Sequence, residues 1–143
     1  MDRTPITIAC AKKILVINTE PILRELLHFG FTDSRQWQVL SVGSPYEGLQ
    51  RAMQGSPDAI VLDLATSSSN SYFAFLEKLR EQTETQLIPV IILTVGAKWL
   101  DTKRLTQFQV VGVLDYTPDL NKLFNQIAAL LNWNEDITKN ITC

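Results

Sequence analysis

The chain has little of what metal, redox or nucleic-acid sites are made from. It carries two cysteines, Cys10 and Cys143, near opposite ends, and a single histidine, His28. Neither thiol has a Cys-x-x-Cys spacing or a His cluster beside it, so a cysteine metal site is not expected and two unpaired thiols are. His28 falls in an amphipathic stretch next to Phe29 and shares no recognisable motif with a Ser, Cys or Asp. It reads as a surface or half-buried helix residue. Excess charge is missing too. Thirteen basic against fifteen acidic residues leave a net charge of -2, which gives no positive field for nucleic acid. Long hydrophobic runs are also absent, the longest being stretches such as 90–93. A membrane helix needs about 20 apolar residues. The first residues, with Asp2 and Arg3, show no signal-peptide core, so the expectation is a cytoplasmic protein with no membrane partner.

What is present is a core. At 143 residues and 45% apolar, the chain suits one domain that folds without metal or disulfide support. Five apolar runs have strand length and β-branched content: 13–17, 37–42, 59–64, 88–95 and 110–114. Most are continuous rather than alternating, as expected of strands covered on both faces. Helical patterns separate them. Leu120, Leu123, Phe124, Ile127, Leu130 and Leu131 recur at three- and four-residue steps and form one stripe. Ile22, Leu23, Leu26 and Leu27 follow Pro21, which suits a first helical turn. Ser44-Pro45-Tyr46-Glu47 reads as a capping box. A third helix is expected over about 71–80 and a fourth, with the poorest stripe, over about 98–108. Five strand and helix alternations imply an α/β domain with a parallel sheet and helices on both faces.

In such sheets, ligand and reaction sites lie beyond the carboxyl ends of the strands. The third strand ends in Asp63, the first at Asn18-Thr19, the fourth at Thr94 and the fifth near Tyr116. One carboxylate therefore faces mostly uncharged neighbours.

Over about 12–133 the sequence resembles the receiver domain of two-component response regulators, in a divergent form. Four segments carry the resemblance: 13–17 leading into Glu20-Pro21, Pro57-Asp58 leading through 59–62 to Asp63, Ile88-Pro89 leading through 90–93 to Thr94, and Val111-Gly112-Val113 before the last helix. The resemblance implies a flavodoxin-like, doubly wound, five-stranded parallel sheet of order 2-1-3-4-5 with five helices. It implies an N-terminal extension at 1–11 and a C-terminal tail at 134–143, no enzymatic activity of its own, and a histidine kinase or downstream effector as partner, with a homodimer left open. By position, Asp63 resembles the family's phosphoacceptor and Thr94 its phosphoryl-sensing hydroxyl.

Other positions depart from the family pattern. Asn18 and Thr19 stand where the family has its Mg²⁺-binding acidic pair. The lysine position falls on Tyr116 if Gly112-Val113 fixes the register, or on Asp119 if Asp115-Tyr116 does. Val113 stands where the family often has an aromatic switch residue. Mg²⁺ is usually held by one or two carboxylates with phosphate oxygens and water, so Asp63 and an outward Glu20 make weak ligands and no cofactor is expected. Asp63 is expected to enter a neutral hydrogen-bonded cluster with Asn18, Thr94 or loop N–H groups. Trp99, Phe108 and Trp133 are candidate partner anchors or ordinary packing. The serine-rich loop 66–71 supports a rival reading, a binder of a flavin or phosphate-bearing ligand, but the first turn has no glycine for close phosphate approach. The expectation is a receiver-type signalling module whose Mg²⁺-dependent phosphorylation is impaired.

Overall fold

The computed structural model describes residues 12–35, 37–64, 69–96 and 100–133. Strands and helices alternate as β1 (Lys13–Ile17), α1 (Pro21–Arg35), β2 (Gln38–Val42), α2 (Pro45–Gly55), β3 (Ala59–Asp63), α3 (Ser69–Glu81), β4 (Val90–Thr94), α4 (Thr102–Gln107), β5 (Val110–Asp115) and α5 (Leu120–Leu131). The five strands form one parallel sheet of order β2-β1-β3-β4-β5. This is the flavodoxin-like doubly wound arrangement.

Alternation within the buried strands builds two cores. Leu15, Ile17, Ile60, Leu62 and Ile92 pack with Ala52 of α2, Leu76 of α3 and Leu105 of α4. Ile14, Val16, Val61, Ile91 and Leu93 face the other way, against Leu27 and Phe31 of α1 and Leu123, Phe124 and Ile127 of α5. Because the side-chain period of a strand is two, a continuous apolar run serves both faces. That explains why β3 and β4 are buried along their whole length.

Local chemistry sets the boundaries. Ser44 accepts a hydrogen bond from the Glu47 N–H at 3.2 Å, with Pro45 opening α2, so the N-cap half of the expected capping box forms, while the Glu47 carboxylate accepts from the Ser44 hydroxyl at 3.3 Å. The fourth helix is shorter than its pattern predicts because Asp101 caps it, accepting from the Arg104 N–H at 3.2 Å. Strand β4 starts after Pro89, which has no N–H to give the ladder, and stops before Val95, which is exposed. Trp37 falls outside β2, its N–H donating to the Phe31 carbonyl at 3.3 Å rather than to the ladder, and its ring joins a stack: Phe31 lies 5.3 Å from Trp37 and 4.7 Å from Phe124, and Trp133 meets Trp37 edge-on at 5.0 Å.

Helices α1 and α5 approach closely at Gly30, where a Cβ would lie 2.3 Å from Cζ of the buried Phe124 ring. Gly30→Ala gains up to about 1 kcal/mol of helix propensity. Overpacking of a fixed ring costs roughly 1–3 kcal/mol, and this term wins. Denaturant unfolding is expected to show a net loss of stability, and an unchanged or raised midpoint would show that Phe124 moves aside freely.

Candidate functional site

Four strand ends deliver the polar cluster. Asp63 closes β3 and is 7% exposed, Asn18 follows β1 at 1%, and Thr94 closes β4 at 7%. Tyr116, half-buried, follows β5 and is placed by its N–H, which donates to the Thr94 carbonyl at 3.1 Å. Beyond the end of a buried strand, a carboxylate has lost most of its water. It must recover hydrogen bonds from the protein.

Two neutral groups are among the donors. The Asn18 amide Nδ2 and the Tyr116 hydroxyl both donate to Oδ2 of Asp63. Asn18 Nδ2 also lies 3.4 Å from the Tyr116 oxygen, so the three side chains meet at one point. The amide is oriented by its other end, where Oδ1 accepts the Glu20 N–H at 2.6 Å and leaves the NH₂ group for the carboxylate. The Asn18 backbone is held as firmly. Its N–H donates to the Val42 carbonyl at 3.1 Å, and its carbonyl accepts from Nη1 of Arg24 at 3.0 Å. Burial, and then donation to Asp63, push the Tyr116 phenol well above its ordinary range, because ionisation would set a second anion beside the first.

The two candidates after β5 have different partners. Tyr116 reaches Asp63, whereas Asp119 caps α5 by accepting the Lys122 N–H at 3.2 Å. Val113 is half-buried against the core shared with α2, α3 and α4. Thr19 and Glu20 are exposed, and the Glu20 backbone joins the turn while its side chain faces solvent. Among the described residues, no group of three or more His, Cys, Asp or Glu is arranged to hold a metal. Phe108 is half-buried 5.9 Å from Phe73, and Trp133 lies against Trp37. Trp99 lies outside the described residues, as do Cys10, Cys143 and the loop 65–68 together with the side chains of 69–71. His28 is an exposed residue of α1, 3.0 Å from the Ser41 hydroxyl. Arg24 has no counterpart among the sequence-based expectations; its partner is a backbone carbonyl, which residue types do not reveal.

Comparisons agree with this architecture. Residues 14–128 match the response regulator receiver domain. No curated protein matches the sequence. Among solved structures, the chain is similar to the chemotaxis response regulator CheY4 of Vibrio cholerae, at 18% identity and a TM-score of 0.70, over 84% of this chain and 98% of that one. It is also similar to the receiver domain of a signal transduction histidine kinase from Syntrophus aciditrophicus, at 22% identity and a TM-score of 0.68, over 87% and 93% of the two chains. A third likeness is to the N-terminal domain of a response regulator receiver protein from Methanoculleus marisnigri, at 20% identity and a TM-score of 0.61, over 82% and 94%. At these identities the likeness concerns the fold. Among the described residues no helix is long and apolar enough to cross a membrane.

The raised phenol pKa gives a pH test with a definite sign. The folded protein keeps the Tyr116 proton at a pH where the unfolded chain, near the ordinary value of 10.0, has lost it. The contribution is therefore complete below about pH 10 and declines as pH rises further. Tyr116→Phe is expected to cost about 1–3 kcal/mol at neutral pH, since a buried carboxylate loses one donor. The gap between the two proteins should narrow above pH 10. Unfolding free energies at neutral and alkaline pH measure it, and a constant gap would separate Tyr116 from Asp63.

Proposed function

The chain belongs to the response regulator receiver family of two-component signalling, and we propose that it is a receiver whose Asp63 is held closed by neutral donors. On this reading it works as a non-enzymatic protein-interaction module, with Mg²⁺-dependent phosphorylation impaired. One observation carries the proposal: Oδ2 of Asp63 accepts from both Asn18 and Tyr116, at the positions where the family pattern calls for an acid and a lysine. A cation needs several oxygen acceptors. Here an amide NH₂ and a phenol O–H point at the carboxylate instead, so the donor set does not fit Mg²⁺. Without metal, phosphoryl transfer lacks its main electrostatic clamp.

The outer face of α1 supports partner binding. Ile22 and Phe29 are 77% and 68% exposed, and Leu26 lies between them on the same stripe. Apolar side chains aligned on an exposed helix face mark surfaces that other proteins cover. The partner is a signalling protein, a histidine kinase or a downstream effector.

The phosphoacceptor reading has its own observation, since Asp63 and Thr94 do close adjacent strands with both side chains buried. Incubation with a small phosphodonor and Mg²⁺, followed by intact mass, separates the two. The expected result is an unchanged mass, and stoichiometric phosphoryl addition lost in Asp63→Ala would overturn the proposal. The flavin or phosphate-ligand reading depends on a loop that lies mostly outside the described residues, and absorbance of the purified protein tests its flavin form.

Metal linkage gives a second measure. Mg²⁺ at ten times its dissociation constant would add about 1.4 kcal/mol of stability, so no Mg²⁺-specific rise in Tm is expected. Asn18→Asp combined with Thr19→Asp should create metal affinity and destabilise the metal-free protein by crowding carboxylates. If the double variant shows neither effect, these positions do not face Asp63.

A further inference from the structure

The Asp63 clamp depends on how Asn18 is aimed, and the structure shows a device for aiming it. Nη1 of Arg24 donates to the Asn18 carbonyl at 3.0 Å. The same nitrogen lies 2.4 Å from where a Cβ would stand on Gly43, and the guanidinium carbon lies 3.5 Å from it. Arg24 thus occupies the space that a side chain at 43 would fill. The backbone of Gly43 is not in the left-handed region, so its glycine is explained by this close approach rather than by turn conformation.

We infer that Arg24, seated against Gly43, is a positioning residue that fixes the Asn18 carbonyl and so points the Asn18 amide at Asp63. The inference rests on reading Asp63 as a clamped carboxylate and names what keeps the clamp shut. Other bonds hold the same turn at either side. The Asn18 N–H is tied to Val42 of β2, and the Glu20 N–H closes back on the Asn18 side chain. Between these anchors the Asn18 peptide carbonyl has Arg24 as its donor, and rotation of that peptide would shift the following Glu20 N–H, which orients the side-chain amide toward Oδ2. The guanidinium also sets a fixed positive charge behind a residue whose amide faces an anion. Its planar fork makes such a contact with less entropy loss than an ammonium.

Two substitutions separate the contact from the charge. Arg24→Ala removes both. Gly43→Ala keeps the arginine but puts a methyl where Nη1 sits, and adds no backbone strain. The readout is solvent exchange of the Asn18 side-chain NH₂ by NMR on the whole chain, because a merely structural loss would not single out that amide. In the parent protein it should exchange on the order of tenfold more slowly than exposed side-chain amides. Both variants should lose that protection while backbone resonances remote from the site stay in place. Protection retained in either folded variant overturns the inference, and if Arg24→Ala does not fold, Gly43→Ala decides it. Asp63→Ala guards the underlying reading: if the Asn18 amide resonances do not move when the carboxylate is removed, the clamp itself is absent, whereas movement there with retained protection in Gly43→Ala assigns the failure to Arg24 alone.

Discussion

A carboxylate buried at the end of a wholly buried strand is the constraint that organises this site. Asp63 cannot leave, because β3 lies in the centre of the sheet with β1 and β4 hydrogen-bonded on either side. An ionised group in such surroundings costs several kcal/mol unless it is neutralised or hydrogen-bonded. The chain supplies hydrogen bonds from an amide and a phenol. In the turn after β1, the Glu20 N–H and the Arg24 guanidinium both bond Asn18, one of these donors.

Topology explains how such distant residues meet. Asn18, Asp63 and Tyr116 are separated by 45 and 53 residues along the chain. A parallel sheet brings all its carboxyl ends to one edge, so three residues that each follow or close a strand become neighbours without any loop having to fold inward. Strand β5 is not adjacent to β3, and β4 stands between them. A group from β5 must therefore be long to reach Asp63. Tyrosine meets that requirement, as lysine would, but brings a neutral donor in place of a charge.

Much of the fold was legible because the apolar patterns were unambiguous. The run 59–64 and the stripe from Leu120 to Leu131 gave β3 and α5 their bounds to within a residue. The fourth helix was misjudged at its start, since the cap at Asp101 is a local hydrogen bond rather than a pattern. At the site, the positions of Asp63, Asn18, Thr94 and Tyr116 followed from strand ends alone. Their pairing did not. Tyr116 was legible as the absence of a lysine, while its role as a donor depends on a reach across β4 that residue type cannot convey. Arg24 was hidden more completely, because a basic residue in the second turn of an amphipathic helix normally lies in solvent, and only the missing side chain at Gly43 makes room for it.

The neutrality of the cluster bears on what it would take to switch it. When several carboxylates share a site, their repulsion is stored in the resting state and is available to be released by a bound cation or a change of charge. Here Asn18, Thr19 and Tyr116 add no such repulsion, and the resting site is already hydrogen-bonded. A phosphoryl group on Oδ2 of Asp63 would displace its two donors and bring about −2 of charge to the site. Each buried donor left without a partner costs about 1–3 kcal/mol. On the proposed reading of Asp63 as a clamped carboxylate, both terms favour the unmodified state.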